Sequence, residues 1–266
     1  MMSSSSSVDP REPQKPLAGK NALITGAGRN LGCVTAEALA RRGANVIIND
    51  LGTDEIVSAA QGVIRDIRAL GVKADFIPAD LSKADEVRRL CRQAVAKYGP
   101  IQILVNNAGP FAMDPFLTLK EATWDLVMDV NLKAVYLAAQ ELGPLMKKSG
   151  WGRIITMCAG SAFVRNHSVY TLAKAGVAVL TESLALELGP SVTVNAVAPG
   201  QIRESLSEVE ALDPEFGRRA LSRTPLQRLV TRSEVAGVIA LLCTPPFDAM
   251  TGMTIRLDGG AEIPRF

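Results

Sequence analysis

Asn21-Ala-Leu-Ile-Thr-Gly-Ala-Gly-Arg-Asn-Leu-Gly32 holds a short apolar run, a glycine-rich turn and the beginning of a helical period. A turn of this kind, at the carboxyl end of a strand with a helix N-terminus behind it, binds phosphate, because free backbone N–H groups and the helix dipole favour an anion. Gly26 and Gly28 let the backbone bend and come close to a pyrophosphate, and Gly32 lets the helix pack on the sheet. Asp50 closes the next apolar run, near the separation at which a carboxylate meets the adenosine ribose hydroxyls and repels a 2′-phosphate, so NAD is favoured. Arg29 pulls the other way, since a basic side chain in the turn can pair with a 2′-phosphate, and NADP stays open.

Outward from this turn, Val- and Ile-rich runs alternate with segments of helical period, the pattern of a parallel sheet with crossover helices. Strands read at 21–25, 45–49, 74–77, 101–106, 153–157, 192–196 and 253–257, and helices at 31–42, 54–69, 84–97, 124–147, 169–188 and 233–242. The expected fold is α/β, a doubly wound, Rossmann-type sheet of seven parallel strands with helices on both faces. Residues 201–230, with mixed charges, Pro214, Pro225 and no strand, break the rhythm and read as a lid loop. Residues 1–16, Ser-rich and then Pro-rich, read as a disordered tail, and 17–266 as a single dinucleotide-binding and catalytic domain.

With 29 Lys and Arg against 27 Asp and Glu, the net charge of +2 offers no field that would recommend a nucleic acid or a membrane as partner. Cys33, Cys91, Cys158 and Cys243 stand far apart, which argues against a zinc site or a disulfide framework and suits reduced thiols in a cytoplasmic protein. No metal is expected. The start lacks the apolar run of a signal peptide, and no later stretch reads as membrane-spanning.

Tyr170 and Lys174 lie one helical turn apart in Ser168-Val-Tyr-Thr-Leu-Ala-Lys-Ala-Gly176, so a phenol and an ammonium sit side by side. A nearby cation stabilises the phenolate, lowers the Tyr pKa and makes an acid or base for an alcohol oxygen. The pattern alone also describes an exposed Tyr and Lys on any helix.

The chain resembles the short-chain dehydrogenase/reductase family over nearly everything from Leu17 on. The resemblance rests on the ordered series Thr25 to Gly32, Asp80, Asn106-Asn-Ala-Gly109, Asn131, Tyr170 with Lys174, and Pro199-Gly200. It implies a hydride-transferring oxidoreductase acting on a carbonyl or secondary alcohol, with Tyr170 as acid or base. Lys174 would lower the Tyr pKa and hold the nicotinamide ribose, and Asn131 would steady a water that relays protons to Lys174. The cofactor would lie on Gly26, Gly28, Arg29, Asn30, Leu31 and Gly32, with Asp80 and Leu81 at the adenine. Asn107, Ala108 and Gly109 would line its cleft, and Pro199, Gly200 and Ile202 would border the nicotinamide. Read singly, Asp80-Leu-Ser82 is also a helix cap, Asn106-Asn107 a strand-ending turn, Pro199-Gly200 a β-turn and Asn131 a helix kink.

Three positions depart from the family pattern. Asn30 stands for a glycine, tolerable because Asn best accepts left-handed geometry. Glu204 stands where a Thr would bind the carboxamide, which passes that contact to Ser205 or to backbone. The family's catalytic Ser falls on Ala159 or, counted back from Tyr170, on Met157; the nearest hydroxyl is Ser161, and His167 is a second possible donor. Phe111, Met113, Phe116 and Phe163 suggest an apolar substrate pocket, whereas Arg165, Arg203, Arg218, Arg219 and Arg223 could meet an acidic group. Acyl-thioester reduction is one option, in line with a general resemblance to 3-oxoacyl reductases. A homotetramer is implied by the family. The rival from another class is a cofactor-binding sensor or scaffold without turnover, for which Ala159 argues; a lyase or isomerase using Tyr170 as base is a third reading.

Overall fold

The computed structural model describes residues 15–163, 167–211 and 213–263. The chain runs β1 (Asn21–Ile24), α1 (Asn30–Arg41), β2 (Asn45–Ile48), α2 (Asp54–Arg68), β3 (Ala74–Phe76), α3 (Ala84–Tyr98) and β4 (Ile103–Asn106). It continues through α4 (Glu121–Met128), a π-helical turn (Asp129–Lys133), α5 (Ala134–Lys148), β5 (Gly152–Met157), α6 (Val169–Leu188) and β6 (Val192–Pro199). After α7 (Leu206–Glu210), α8 (Phe216–Arg223) and α9 (Arg232–Leu242), β7 (Thr254–Leu257) closes the sheet.

Every paired strand is parallel, in the order β3-β2-β1-β4-β5-β6-β7. Strands buried on both faces read as unbroken apolar runs, and alternate residues feed two cores. Ala22 and Ile24 of β1, Val46 and Ile48 of β2, and Ile103 and Val105 of β4 pack against α1, α2 and α9. Leu23, Ile47 and Leu104 face α3, α5 and α6 on the other side. The strand order reverses between β1 and β4, and there the carboxyl ends open a crevice, the usual ligand position of an open α/β sheet.

Three expectations change. The helix expected over 124–147 begins at Glu121 and is interrupted by the π turn at Asp129–Lys133 before α5 runs to Lys148. The stretch 201–230 is more than a loop: α7 and α8 are short helices held apart by Pro214, and a bridge from Ile202 to Val230 ties its base. Contrary to the expectation of no membrane-length stretch, α6 is long and apolar enough to cross a bilayer by length and composition. It packs one face on the sheet, as core helices do. Of the expected tail, residues 1–14 lie outside the described residues, as does Arg165, while the Lys15 carbonyl accepts from Ala18 N at 3.0 Å.

Candidate active site

The glycine turn is built by close approach. Gly26 has φ +61°, and a Cβ there would lie 2.8 Å from Ala108 Cα; a Cβ on Gly32 would lie 2.6 Å from Ala27 Cα and collide with the Gly26 carbonyl. Asn30 adopts φ 55°, the left-handed geometry expected of it. Gly28 serves Asp50 instead of an open approach: its N–H donates to Asp50 Oδ2 at 3.1 Å, and a Cβ would meet Ile56 at 3.0 Å. Asp50 Oδ1 accepts from Leu51 N at 2.8 Å, so both carboxylate oxygens anchor the loop end of β2. Arg29 is exposed and Leu31 borders the cleft.

The strand-ending asparagines lock this turn across the crevice. Asn107 Nδ2 donates to the carbonyls of Thr25 and Gly26 at 3.0 and 2.9 Å, and the N–H groups of Asn107 and Ala108 donate to Thr25 Oγ1 at 3.0 and 3.1 Å. Asp80 makes the local turn that its bland reading described, accepting from Ser82 N and Oγ, with Lys83 at 3.2 Å; the Ser82 hydroxyl first of all holds its carboxyl below the usual range. The Leu81 side chain belongs to the core beside α3.

Beyond the turn lies a cleft of about 830 Å³ bordered by Gly109, Phe111, Ser161, Tyr170, Lys174, Pro199, Gly200 and Ile202. The capping serine Ser168 starts α6, its Oγ accepting from Thr171 N at 3.2 Å, and sets Tyr170 and Lys174 on the cleft side. Lys174 is almost wholly buried; its Nζ donates to the Met157 carbonyl at 2.6 Å and lies 5.5 Å from the Tyr170 ring centroid. Burial pulls its pKa down to about 8, against the pull of Cys158. Burial, and secondarily Cys158, pushes the Tyr170 phenol up. This differs from the expectation that the neighbouring ammonium makes Tyr170 more acidic: in the chain by itself the shift is upward, set by burial and then Cys158, with no lowering from Lys174 among its causes. Phe111 packs edge-on against Tyr170 at 5.0 Å between centroids.

Asn131 sits in the π turn, fully buried. Its Nδ2 donates to the Val127 and Pro110 carbonyls at 3.0 Å each, while Oδ1, crowded against Gly109, has no partner. A wider turn leaves the i−4 carbonyl without its usual N–H, and the side-chain amide takes that place. Ser161 Oγ is likewise buried and without a partner. Met157 and Ala159, where the sequence reading expects the family serine, border the cleft with side chains that cannot donate. His167 is exposed and does not border it. Of the arginines expected to meet an acid, Arg219 and Arg223 border the cleft, while Arg218 pairs with Glu215, Arg219 with Asp213 and Arg203 with Glu204 at 3.5 Å. Glu204 and Ser205 both hold Arg232.

Sequence reasoning missed the Met157 carbonyl, Cys158 and the turn Asp258–Glu262 as parts of the cleft wall; only the pairing of β7 with β6 could have pointed to that last turn. Among the described residues, no group of three or more His, Cys, Asp or Glu could hold a metal ion.

The glycine cradle, closed to any Cβ, and the two unpartnered oxygens of Asn131 and Ser161 fit a nicotinamide nucleotide and a substrate oxygen. A family model described as enoyl-(acyl carrier protein) reductase matches residues 26–262. The 3-oxoacyl-(acyl-carrier-protein) reductase of Staphylococcus aureus is 37% identical over 244 residues, 91% of this chain and 97% of the relative. The short-chain dehydrogenase/reductase of Serratia marcescens superposes with a TM-score of 0.83 at 31% identity, covering 93% of this chain and 99% of that one. A 7α-hydroxysteroid dehydrogenase in complex with NADH and 7-oxo glycochenodeoxycholic acid gives 0.86 at 32% identity, with 93% and 96% covered. Shared fold and ancestry over nine-tenths of its length settle the matter: the chain belongs to the short-chain dehydrogenase/reductase family, oxidoreductases that pass a hydride between a nicotinamide cofactor and a C=O or CH–OH carbon.

Proposed function

We propose that this protein reduces a 3-oxoacyl thioester with NADH, Tyr170 acting as the acid. The observation that carries the reading is Ser161 Oγ, buried without a partner in the cleft that Tyr170 also borders. Bound nicotinamide nucleotide supplies the hydride. Ser161 donates to the substrate carbonyl oxygen in place of the serine missing at Ala159, and Tyr170 gives that oxygen its proton. A phenol whose pKa is raised by burial is fully protonated at neutral pH, as reduction requires. Lys174 stabilises the phenolate that forms and orients the ribose. Asn131 Oδ1 steadies the water through which the proton is replaced.

The turn Gly26 to Gly32, together with Asn107, Ala108 and Gly109, holds the pyrophosphate side. Asp80 and the Leu81 backbone flank adenine, and Pro199, Gly200 and Ile202 flank nicotinamide. The Asp50 carboxylate disfavours a 2′-phosphate, whereas exposed Arg29 is the group through which NADPH would still bind. Residues 17–266 act as one unit, with 201–230 as the lid. The names of the relatives and the apolar wall at Phe111 and Met113 support the thioester. The exposed apolar side of α6 supports a homotetramer, and four free cysteines suit the cytoplasm.

The test is NADH and NADPH oxidation with an acetoacetyl thioester. Tyr170→Phe is expected to lose at least about 10³ in kcat, and Ser161→Ala about 10²–10³. Asp50→Asn, which keeps an acceptor for Gly28, lowers the NADH-to-NADPH preference. Wild-type turnover that survives in Tyr170→Phe sinks Tyr170 as the acid, whereas cofactor binding with no wild-type turnover favours the cofactor-binding sensor.

A further inference from the structure

The C-terminal turn after β7 brings a carboxylate to the substrate end of the cleft. Gly260 N donates to Asp258 Oδ1 at 2.8 Å and Glu262 N to Asp258 Oδ2 at 3.3 Å, while the Glu262 carbonyl accepts from Arg256 at 3.3 Å. The turn so fixed lays the Glu262 side chain against Gly160, where an added Cβ would meet Oε1 at 3.1 Å and Cγ at 3.2 Å. Gly160 directly precedes Ser161, whose buried Oγ lacks a partner, and Glu262 and Ser161 border the same cleft. Half-buried, Glu262 is costly to keep charged: desolvation and Asp258 raise its pKa in spite of Arg256 and Arg223. A carboxyl group held at such a cost in a reaction cleft marks a functional position.

We infer that Glu262 is a specificity-determining residue, accepting a hydrogen bond from a hydroxyl or amide N–H that the substrate carries beyond its reacting carbonyl. The inference rests on the thioester reading, since the arm of an acyl-carrier thioester carries amide N–H groups. The carboxylate accepts from such a donor and gives nothing to an alkyl chain of equal length. Its contribution falls on substrate binding, so KM changes and kcat follows less.

The experiment compares S-(2-acetamidoethyl) 3-oxobutanethioate with S-pentyl 3-oxobutanethioate, and 8-hydroxyoctan-2-one with nonan-2-one, in wild type, Glu262→Leu and Glu262→Gln. The quantity read is the ratio of kcat/KM for the donor-bearing to the donor-lacking member of each pair. Glu262→Leu is expected to lower that ratio about tenfold or more, chiefly through KM, as loss of a hydrogen bond to a charged group does. Glu262→Gln, which keeps an acceptor oxygen, holds it within about threefold of wild type. Partial unfolding scales both members of a pair alike, so it does not imitate the result. An unchanged ratio in Glu262→Leu, on whichever pair wild type reduces, overturns the inference. Reduction of the ketones but of neither thioester overturns the thioester reading instead, and Glu262 is then judged on the ketone ratio.

Discussion

Lys174 is the residue in which burial and chemistry pull hardest against each other. An ammonium enclosed by protein, with the Met157 carbonyl at 2.6 Å as its hydrogen-bond acceptor, has its pKa drawn from 10.5 to about 8. A lysine with a depressed folded-state value binds fewer protons in the native than in the unfolded chain between those two values, so stability rises with pH across that window. Urea unfolding of cofactor-free protein at pH 7.5 and 9.5 should therefore show wild type gaining on Lys174→Met by about 1.4 kcal/mol per pH unit above pH 8. A constant difference would mean that Lys174 stays charged in the fold. The pairing of Tyr170 with Lys174 is legible from their spacing alone. The rise of the Tyr pKa is not, because it depends first on burial, with Phe111 packed against the ring, and then on Cys158, both from other segments. Ser161 is legible only as the nearest hydroxyl; that its oxygen is buried and unpartnered needs the fold.

At the scale of the element, α9 begins with a reciprocal cap that also anchors Arg228, near the end of the 201–230 stretch. Thr231 Oγ1 accepts from Glu234 N at 3.2 Å, and Glu234 accepts from Thr231 N at 2.9 Å and from Arg228 at 2.7 Å. Arg228 first, and then the Thr231 groups, hold the Glu234 pKa at about 2. Glu234→Ala is expected to cost about 1 kcal/mol in urea unfolding at neutral pH. A depressed carboxylate stabilises above its unfolded value of 4.5 and loses that contribution as pH falls toward 2, so the gap between wild type and variant should close on acidification. Equal stability at pH 7 would remove the cap from the account. The order of strands and crossover helices is readable because apolar runs and helical periods alternate cleanly. The π turn is not readable, since one residue of altered register barely disturbs the apolar spacing from Trp124 to Lys147. Nor are α7, which ends before Pro214, and α8, which lies between Pro214 and Pro225, each too short for a period to emerge.

On the scale of the whole molecule, α6 exposes Leu172, Val179 and Leu186, seven residues apart, at 47%, 64% and 87%. A seven-residue apolar repeat on an exposed helix side is what a second helix packs against. Sedimentation velocity is expected to find a tetramer in wild type and smaller species in Val179→Arg/Leu186→Glu; a monomeric wild type would end that proposal. The same apolarity gives α6 its membrane-like composition, so hydropathy alone misreads it. Tyr136 and Leu145 of α5, also exposed, follow the π turn in the chain, whereas Asn131 lies within it. Each residue of an α-helix turns the face it presents by about 100°. The direction of Asn131 and the face that α5 shows to solvent are therefore geared to one residue count. An insertion or deletion between Asn131 and Tyr136 rotates the outer surface and the inner site against each other, so length change there is closed to the chain as a route to a new subunit contact.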